Sequence, residues 1–263
     1  ASAGTSNFRA GVNAGNSITA GGNFNTVVGD EAGTAITTGD KNVAVGFEAL
    51  KANTTAGNNT AVGYNALLAN TEGFSNTAFG SRAGDAITTG DANTALGNLA
   101  LSAETTGARS VAIGNGALSN QNSTNSADMY NVAVGADAGA QVTTGIRNSI
   151  LGGLAGDALT DADFNVAMGY QALSTDTLGS RSVAIGYNAL VTQNFTSATN
   201  SLNVAVGYSS GAAVTTGTNN TFVGNESGAA VTTGVKNTLI GGLAGDAITT
   251  GANNTALGMS SLG

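Results

Sequence analysis

The sequence predicts an all-β fold: a parallel β-solenoid, or β-roll, of about 15 turns with a 17-residue repeat, forming a single domain over residues 1–263. Three observations carry this. The first is a five-residue motif that occurs fifteen times: Asn, a β-branched or small residue, a small or apolar residue, an aliphatic, then Gly. Examples are NVAVG at 42–46 and NTAFG at 76–80. The second is spacing. The closing glycines run from Gly11 to Gly258, and of the fourteen intervals eleven are 17 residues, one is 18 and two are 21. A short fixed period marks a repeat that buries its apolar face only against its neighbours. The third is a volume compensation. Four residues after the closing glycine stands Gly or Leu, and seven after it an aliphatic or a polar residue. Gly33, Gly84 and Gly139 go with Ile36, Ile87 and Val142, whereas Leu50, Leu67 and Leu101 go with Asn53, Asn70 and Glu104. One large aliphatic per layer is what a close-packed interior of constant cross-section requires.

Each element of a turn follows in order. Along Asn42-Val43-Ala44-Val45-Gly46 the side chains alternate, so Val43 and Val45 share one face and Ala44 takes the other. The residue before the glycine is large and apolar in fourteen turns, Ala10 being the exception, and is expected to form the inner core. The small row (Ala44, Ala61, Ala78, Ala95) is then expected to face the other way, against a closely packed backbone. Gly at every motif end predicts a bend with positive φ or a close backbone approach. A second bend is marked by TTG, as at 37–39, 88–90 and 232–234.

Thirteen turns open with Asn. Asn25, Asn42, Asn59, Asn76, Asn93, Asn131, Asn148, Asn165, Asn203, Asn220, Asn237 and Asn254 are expected to stand in register as a ladder, their amides about 4.8 Å apart and hydrogen-bonded along the axis. The functional alternative is a ligand-binding row. Ser110 and Ser182 replace Asn, and both lead into the 21-residue turns, where residues 123–130 and 196–202 are expected to bulge outward as loops.

Composition excludes much chemistry. The chain has no His, Cys, Pro or Trp, so most transition-metal sites and nucleophile–base pairs cannot be built. Net charge is −8 and the eight basic residues are scattered, which disfavours nucleic acid and anionic membrane surfaces. No apolar run is long enough to span a membrane. The chain starts at Ala1, without a basic-then-apolar leader, as a mature secreted product or a fragment would. The glycine-rich LGGLAGDA at 151–158 and 240–247 lacks the GK[ST] of a phosphate loop and falls in repeat phase. The acidic pairs Asp30-Glu31 and Asp161/Asp163 read as solvated bend residues, and the calcium-binding GGxGxD repeat is missing. No catalytic residue, cofactor or metal site is predicted, and the chain is not expected to be an enzyme.

Phe47, Tyr64, Tyr170, Tyr187 and Tyr208 each follow a closing glycine. They form a stripe that either stacks between turns and against a partner chain or presents rings to a sugar.

The NTAVG and YNAL segments around residues 59–67, followed by TTG-like bends, resemble two repeat families. One is the head of trimeric autotransporter adhesins, a left-handed parallel β-roll with VAIG-like turns. The other is the 17-residue repeat of phage tail fibres. The resemblance implies a trimeric or fibrous protein outside the cell, at the cell surface or on a virion tail fibre, with a surface glycan or host receptor as partner. The sequence is accordingly expected to encode a self-assembling structural fibre with an adhesive or coating role. A glycan-binding segment is the alternative, and a threonine-rich ice-binding solenoid a lesser one. Head-to-tail polymerisation is expected through Asn7, Gly11, Gly258 and Leu262. Neither end carries an evident polar block, and a second copy's Gly11 would fall 16 positions beyond Gly258, one short of the period.

Overall fold

The computed structural model describes residues 4–263. The chain divides into two compact units, one ending at Tyr130 and the other covering Asn131–Gly263. Both are built the same way, from stacked turns that each contribute one three-residue strand to a parallel sheet.

The first unit holds β1 (Phe8–Ala10), β2 (Thr26–Val28), β3 (Val43–Val45), β4 (Thr60–Val62), β5 (Thr77–Phe79), β6 (Thr94–Leu96) and β7 (Val111–Ile113). The second holds β8 (Val132–Val134), β9 (Ser149–Leu151), β10 (Val166–Met168), β11 (Gly179–Ser180), β12 (Val183–Ile185), β13 (Thr199–Asn200), β14 (Val204–Val206), β15 (Thr221–Val223), β16 (Thr238–Ile240) and β17 (Thr255–Leu257). That makes seven turns and eight, with β11 and β13 as a small separate pair. Register is one repeat: Val43, Ala44 and Val45 stand opposite Thr60, Ala61 and Val62. Three residues suffice because each strand is bonded on both sides. The Thr60 N–H donates to the Asn76 carbonyl and the Gly63 N–H to the Val45 carbonyl, both at 2.8 Å.

The closing glycine needs its missing side chain for two reasons. Its φ lies between 121° and 142°, and a Cβ on Gly80 would stand 2.5 Å from the Gly97 carbonyl oxygen of the next turn. Turns therefore stack backbone on backbone at this corner. At the TTG bend the first threonine ties one turn to the next, as when the Thr37 hydroxyl donates to the Thr54 carbonyl at 3.0 Å.

The face assignment of the strand is the reverse of the expectation. The middle row (Val27, Ala44, Ala61, Ala78, Ala95, Ala112 in the first unit) is fully or almost fully buried, while the large residues before the glycine face outward. Phe79 is 54% exposed and Leu96 42%. A 17-residue coil is narrow, and the opposite wall fills it with Leu or Ile, so only a small side chain fits beneath the strand. Where that wall is thin the inner row grows: Phe222 lies against Gly211 and Gly228, which would touch its ring if they carried a Cβ.

That opposite wall is the Gly/Leu exchange. Ile36, Leu50, Leu67, Ile87, Leu101 and Leu118 are all fully buried. A Cβ on Gly33 would stand 2.7 Å from Ile36 Cδ1, and one on Gly84 would meet both Ile87 Cδ1 and Leu67 Cδ2. The two positions thus share one space. The backbone there is left-handed whichever residue is used: φ is 53° at Gly33 and 49° at Leu67. Leu accepts a conformation that costs an L residue about 1–2 kcal/mol, because the side chain fills the layer.

The 21-residue turns are not simple outward loops. In the first, Ala108 bridges to Asp128 and Met129 is buried. In the second, β11 pairs with β13 and Phe195 is almost fully buried. The tips, 124–126 and 196–198, stand in solvent, and so do Tyr130 and Leu202, each 46% exposed.

Candidate functional site

The asparagines form a column within each unit, bonded differently from an amide-to-amide ladder. The Asn42 Oδ1 accepts the Asn59 N–H at 3.0 Å, and the Asn42 Nδ2 donates to the Ala56 carbonyl at 2.9 Å. The same pair of bonds recurs at Asn25, Asn59, Asn76 and Asn93. In the second unit it recurs at Asn131, Asn148, Asn165, Asn203, Asn220 and Asn237. Asn254 donates its own N–H and its Nδ2 to Asn237. Direct amide-to-amide bonds are added at a few places, such as Asn148 to Asn131 at 3.2 Å. Each side chain therefore joins the strand start to the TTG corner of its own turn and to the strand above. Both of its ends are used on backbone, in a buried position, which leaves no ligand-binding row.

At Ser110 and Ser182 the column changes partner. The serine N–H is still received by Asn93 or Asn165, but no amide remains to reach the corner. Gln121 and Gln193 enter from the opposite wall, each placing Nε2 at 2.9 Å from the serine Oγ. Behind them lie two fully buried carboxylates. Glu104 Oε1 accepts the N–H groups of Thr105, Thr106, Gly107 and Ser123, and Oε2 accepts Gln121 Nε2. Asp176 is held by the N–H groups of Gly179 and Phe195 and by Gln193. A buried carboxylate is tolerable only with such a donor cage. Both cages sit where the repeat lengthens, and neither reaches solvent, so they tie the long turns down. Sequence reading missed them because it takes Glu and Asp as surface residues. The usable signal was the pairing of Ser110 with Gln121 and Ser182 with Gln193 at equal offset.

The aromatic stripe stacks along the axis in each unit. Phe47 and Tyr64 are 5.8 Å apart and 8° from parallel. Tyr170, Tyr187 and Tyr208 continue at 5.8 and 5.3 Å. Their faces are turned to each other and their edges outward. The outer face of Tyr170 lies over Gly153 of the LGGLAGDA segment.

The acidic pairs are engaged locally. Asp30 accepts the Val12 N–H, Glu31 pairs with Lys51, Asp161 accepts the Thr144 hydroxyl and Asp163 the Ile146 N–H. At the junction residues, Asn7 makes the usual column bonds, to Asn25 and to the Gly22 carbonyl, and Gly11 packs under Gly29. A Cβ on Gly258 would meet nothing within 4 Å, and Leu262 is half exposed. The first turn is more polar than expected: Arg9 occupies the inward strand position, opposite Val27, and its Nη1 donates to the Gly15 carbonyl at 2.8 Å.

The outward face of the sheet is the largest feature outside these columns. In the first unit its two rows are Phe8, Thr26, Val43, Thr60, Thr77, Thr94, Val111 and Ala10, Val28, Val45, Val62, Phe79, Leu96, Ile113. In the second unit they include Val132, Val166 and Val204 beside Leu151 (45% exposed), Met168 (38%) and Ile240. Neither unit places a charged residue in either row.

No protein-family model and no curated protein matches this chain. Among the described residues no group of acidic side chains is arranged to hold a metal ion, and no helix is long and apolar enough to cross a membrane.

Proposed function

We propose that the chain is a non-catalytic structural solenoid that associates with further copies of itself through the outward face of its parallel sheet. The single observation behind this is a charge-free face that pairs a row of threonine and valine with a row of large apolar side chains, most of its valines half-buried and Phe79, Leu96, Leu151 and Met168 38–54% exposed. Monomeric proteins rarely expose so continuous an apolar strip. The six large apolar side chains of one row in the first unit, Val28 to Ile113, at up to about 1 kcal/mol each for the part still exposed, return at most roughly 6 kcal/mol when covered. Association costs about 4–15 kcal/mol, so the second row or the second unit must join. An uncharged face is complementary to itself, which favours a second copy over a charged partner.

The rings of the aromatic stripe spend their facing sides on one another within each stack, which counts against a sugar-stacking platform between neighbouring turns. The first threonine of the bends spends its hydroxyl on the neighbouring turn, which counts against an ice-binding array in that row. The resemblance of the repeats to adhesin heads and tail fibres supports a fibre or coat outside the cell.

Sedimentation over a range of concentrations, with electron microscopy of the same samples, tests the reading. The chain should run as a discrete oligomer or filament, and Phe79→Lys with Leu151→Lys should return it to a folded monomer. A wild-type monomer at all concentrations would refute it, and thermal hysteresis in the wild type lost in Thr77→Lys would move the role of the face to ice.

A further inference from the structure

Arg147, Phe164 and Arg181 occupy one register position, five residues before Gly152, Gly169 and Gly186. All three are exposed and lie in the second unit. The Phe164 ring stands between two guanidinium groups, the Cζ of each 5.4 Å from its centroid. The ring quadrupole attracts both cations and restricts their side chains without neutralising them.

Three other exposed cations pair with carboxylates, while Lys41 and Lys236 form no ion pair among the described residues and have no arginine or ring stacked beside them. Lys51 bridges Glu31 and Glu48, Arg82 meets Asp85, and Arg109, which also lies over Tyr130, is paired with Asp128. Neither Arg147 nor Arg181 forms an ion pair among the described residues. Asp163, whose main-chain carbonyl accepts the Arg181 N–H, spends its carboxylate on the Ile146 N–H, and Asp161 accepts the Thr144 hydroxyl. Two open guanidinium forks therefore stand two turns apart, about 9.6 Å at about 4.8 Å per strand spacing.

We propose that this triad binds an acidic polysaccharide carrying one carboxylate or sulfate on alternate sugars. A guanidinium fork receives two oxygens of a carboxylate or sulfate at once. The spacing of the two forks is close to the repeat of an extended disaccharide, so consecutive acidic groups of one chain meet both. Nucleic acid fits less well. Its recognition relies on an open aromatic face for base stacking, and both faces of Phe164 are covered. Its denser charge is also opposed by a protein of net charge −8. The role of Phe164 is positioning: it holds the two forks in line.

Titration calorimetry on the full chain at low salt, with oligosaccharides of hyaluronan and of chondroitin sulfate, tests this. Neutral dextran and single-stranded DNA serve as counter-probes. At least one acidic oligosaccharide should bind, and the preferred one identifies carboxylate or sulfate as the recognised group. Arg147→Gln and Arg181→Gln should each weaken it tenfold or more, and Phe164→Ala several-fold, with Phe164→Tyr close to wild type. Lys236→Gln, in the same register position but outside the triad, should change nothing, and raised salt should abolish binding. Circular dichroism establishes that each variant keeps the fold. The proposal is overturned if neither acidic oligosaccharide binds, if dextran or DNA binds as tightly, or if folded arginine variants bind like wild type.

Discussion

Replacing Leu67 by Gly sets two opposed terms against each other, and both can be sized. Leu67 is fully buried, and its Cδ2 reaches the space above Gly84 in the next turn. Truncating a core leucine to alanine costs about 2.7–5 kcal/mol, and the step to glycine adds about 0.5–1 kcal/mol of unfolded-chain entropy. Against this, Leu67 has φ 49°, and glycine releases about 1–2 kcal/mol of left-handed strain. The net loss should be about 3 kcal/mol. Adding Asn70→Ile should then restore part of it. An Ile seven residues after the closing glycine places its Cδ1 over a glycine at the fourth position, as Ile36 does over Gly33. The exchange gives up the bonds from Asn70 Nδ2 to Asn53 Oδ1 and the Gly73 carbonyl, but that carbonyl keeps Asn59 Nδ2 at 2.8 Å. Asn70 Oδ1 has no partner to lose. A return of about 1–2 kcal/mol is expected, whereas Asn70→Ile alone should destabilise by about 1–3 kcal/mol through overpacking. Long repeat arrays lose global two-state behaviour, so the assay is native-state hydrogen exchange of the amides of residues 67–87. A double variant no more protected than Leu67→Gly would refute the shared space.

Asn76→Ala leaves the Asn93 N–H and the Gly90 carbonyl buried without their side-chain partner, and should cost about 2–4 kcal/mol in denaturant unfolding. Gly80→Ala forces a methyl group against the Gly97 carbonyl and should unfold at a much lower temperature than wild type. Gly258→Ala has open space and should show only the strain of its positive φ. Burial, with Asp137 nearby, raises the Asp157 carboxyl above its ordinary value. The folded chain then holds that proton more tightly than the unfolded chain, so its contribution is present in acid and lost as pH rises through the folded pKa. Asp157→Asn should therefore raise Tm at neutral pH and leave it unchanged at roughly pH 3, below the ordinary carboxylate value; a higher Tm at both would point to packing instead.

Periodicity alone determined the class of fold, the register and the layer packing. Strands one turn apart must pair when the period is constant, and Gly33/Ile36 against Leu67/Asn70 exposes the constant volume of a layer without coordinates. It also placed Asn42, Asn59 and Asn76 in one column, although the bonds they make to the Ala56, Gly73 and Gly90 carbonyls depend on a corner folding back beside the strand. Which strand face looks inward was decided only by the tertiary structure. Val43-Ala44-Val45 alternates with a period of two, so the sequence offers two faces and no measure of the room beneath either. In a narrow coil whose far wall already supplies a leucine or isoleucine, alanine is what fits inside, and the larger residues are left outside, where water or another copy of the chain must meet them. The buried carboxylates of Glu104 and Asp176 were decided the same way: only the folded turn gathers enough N–H donors around one oxygen pair to offset the loss of water.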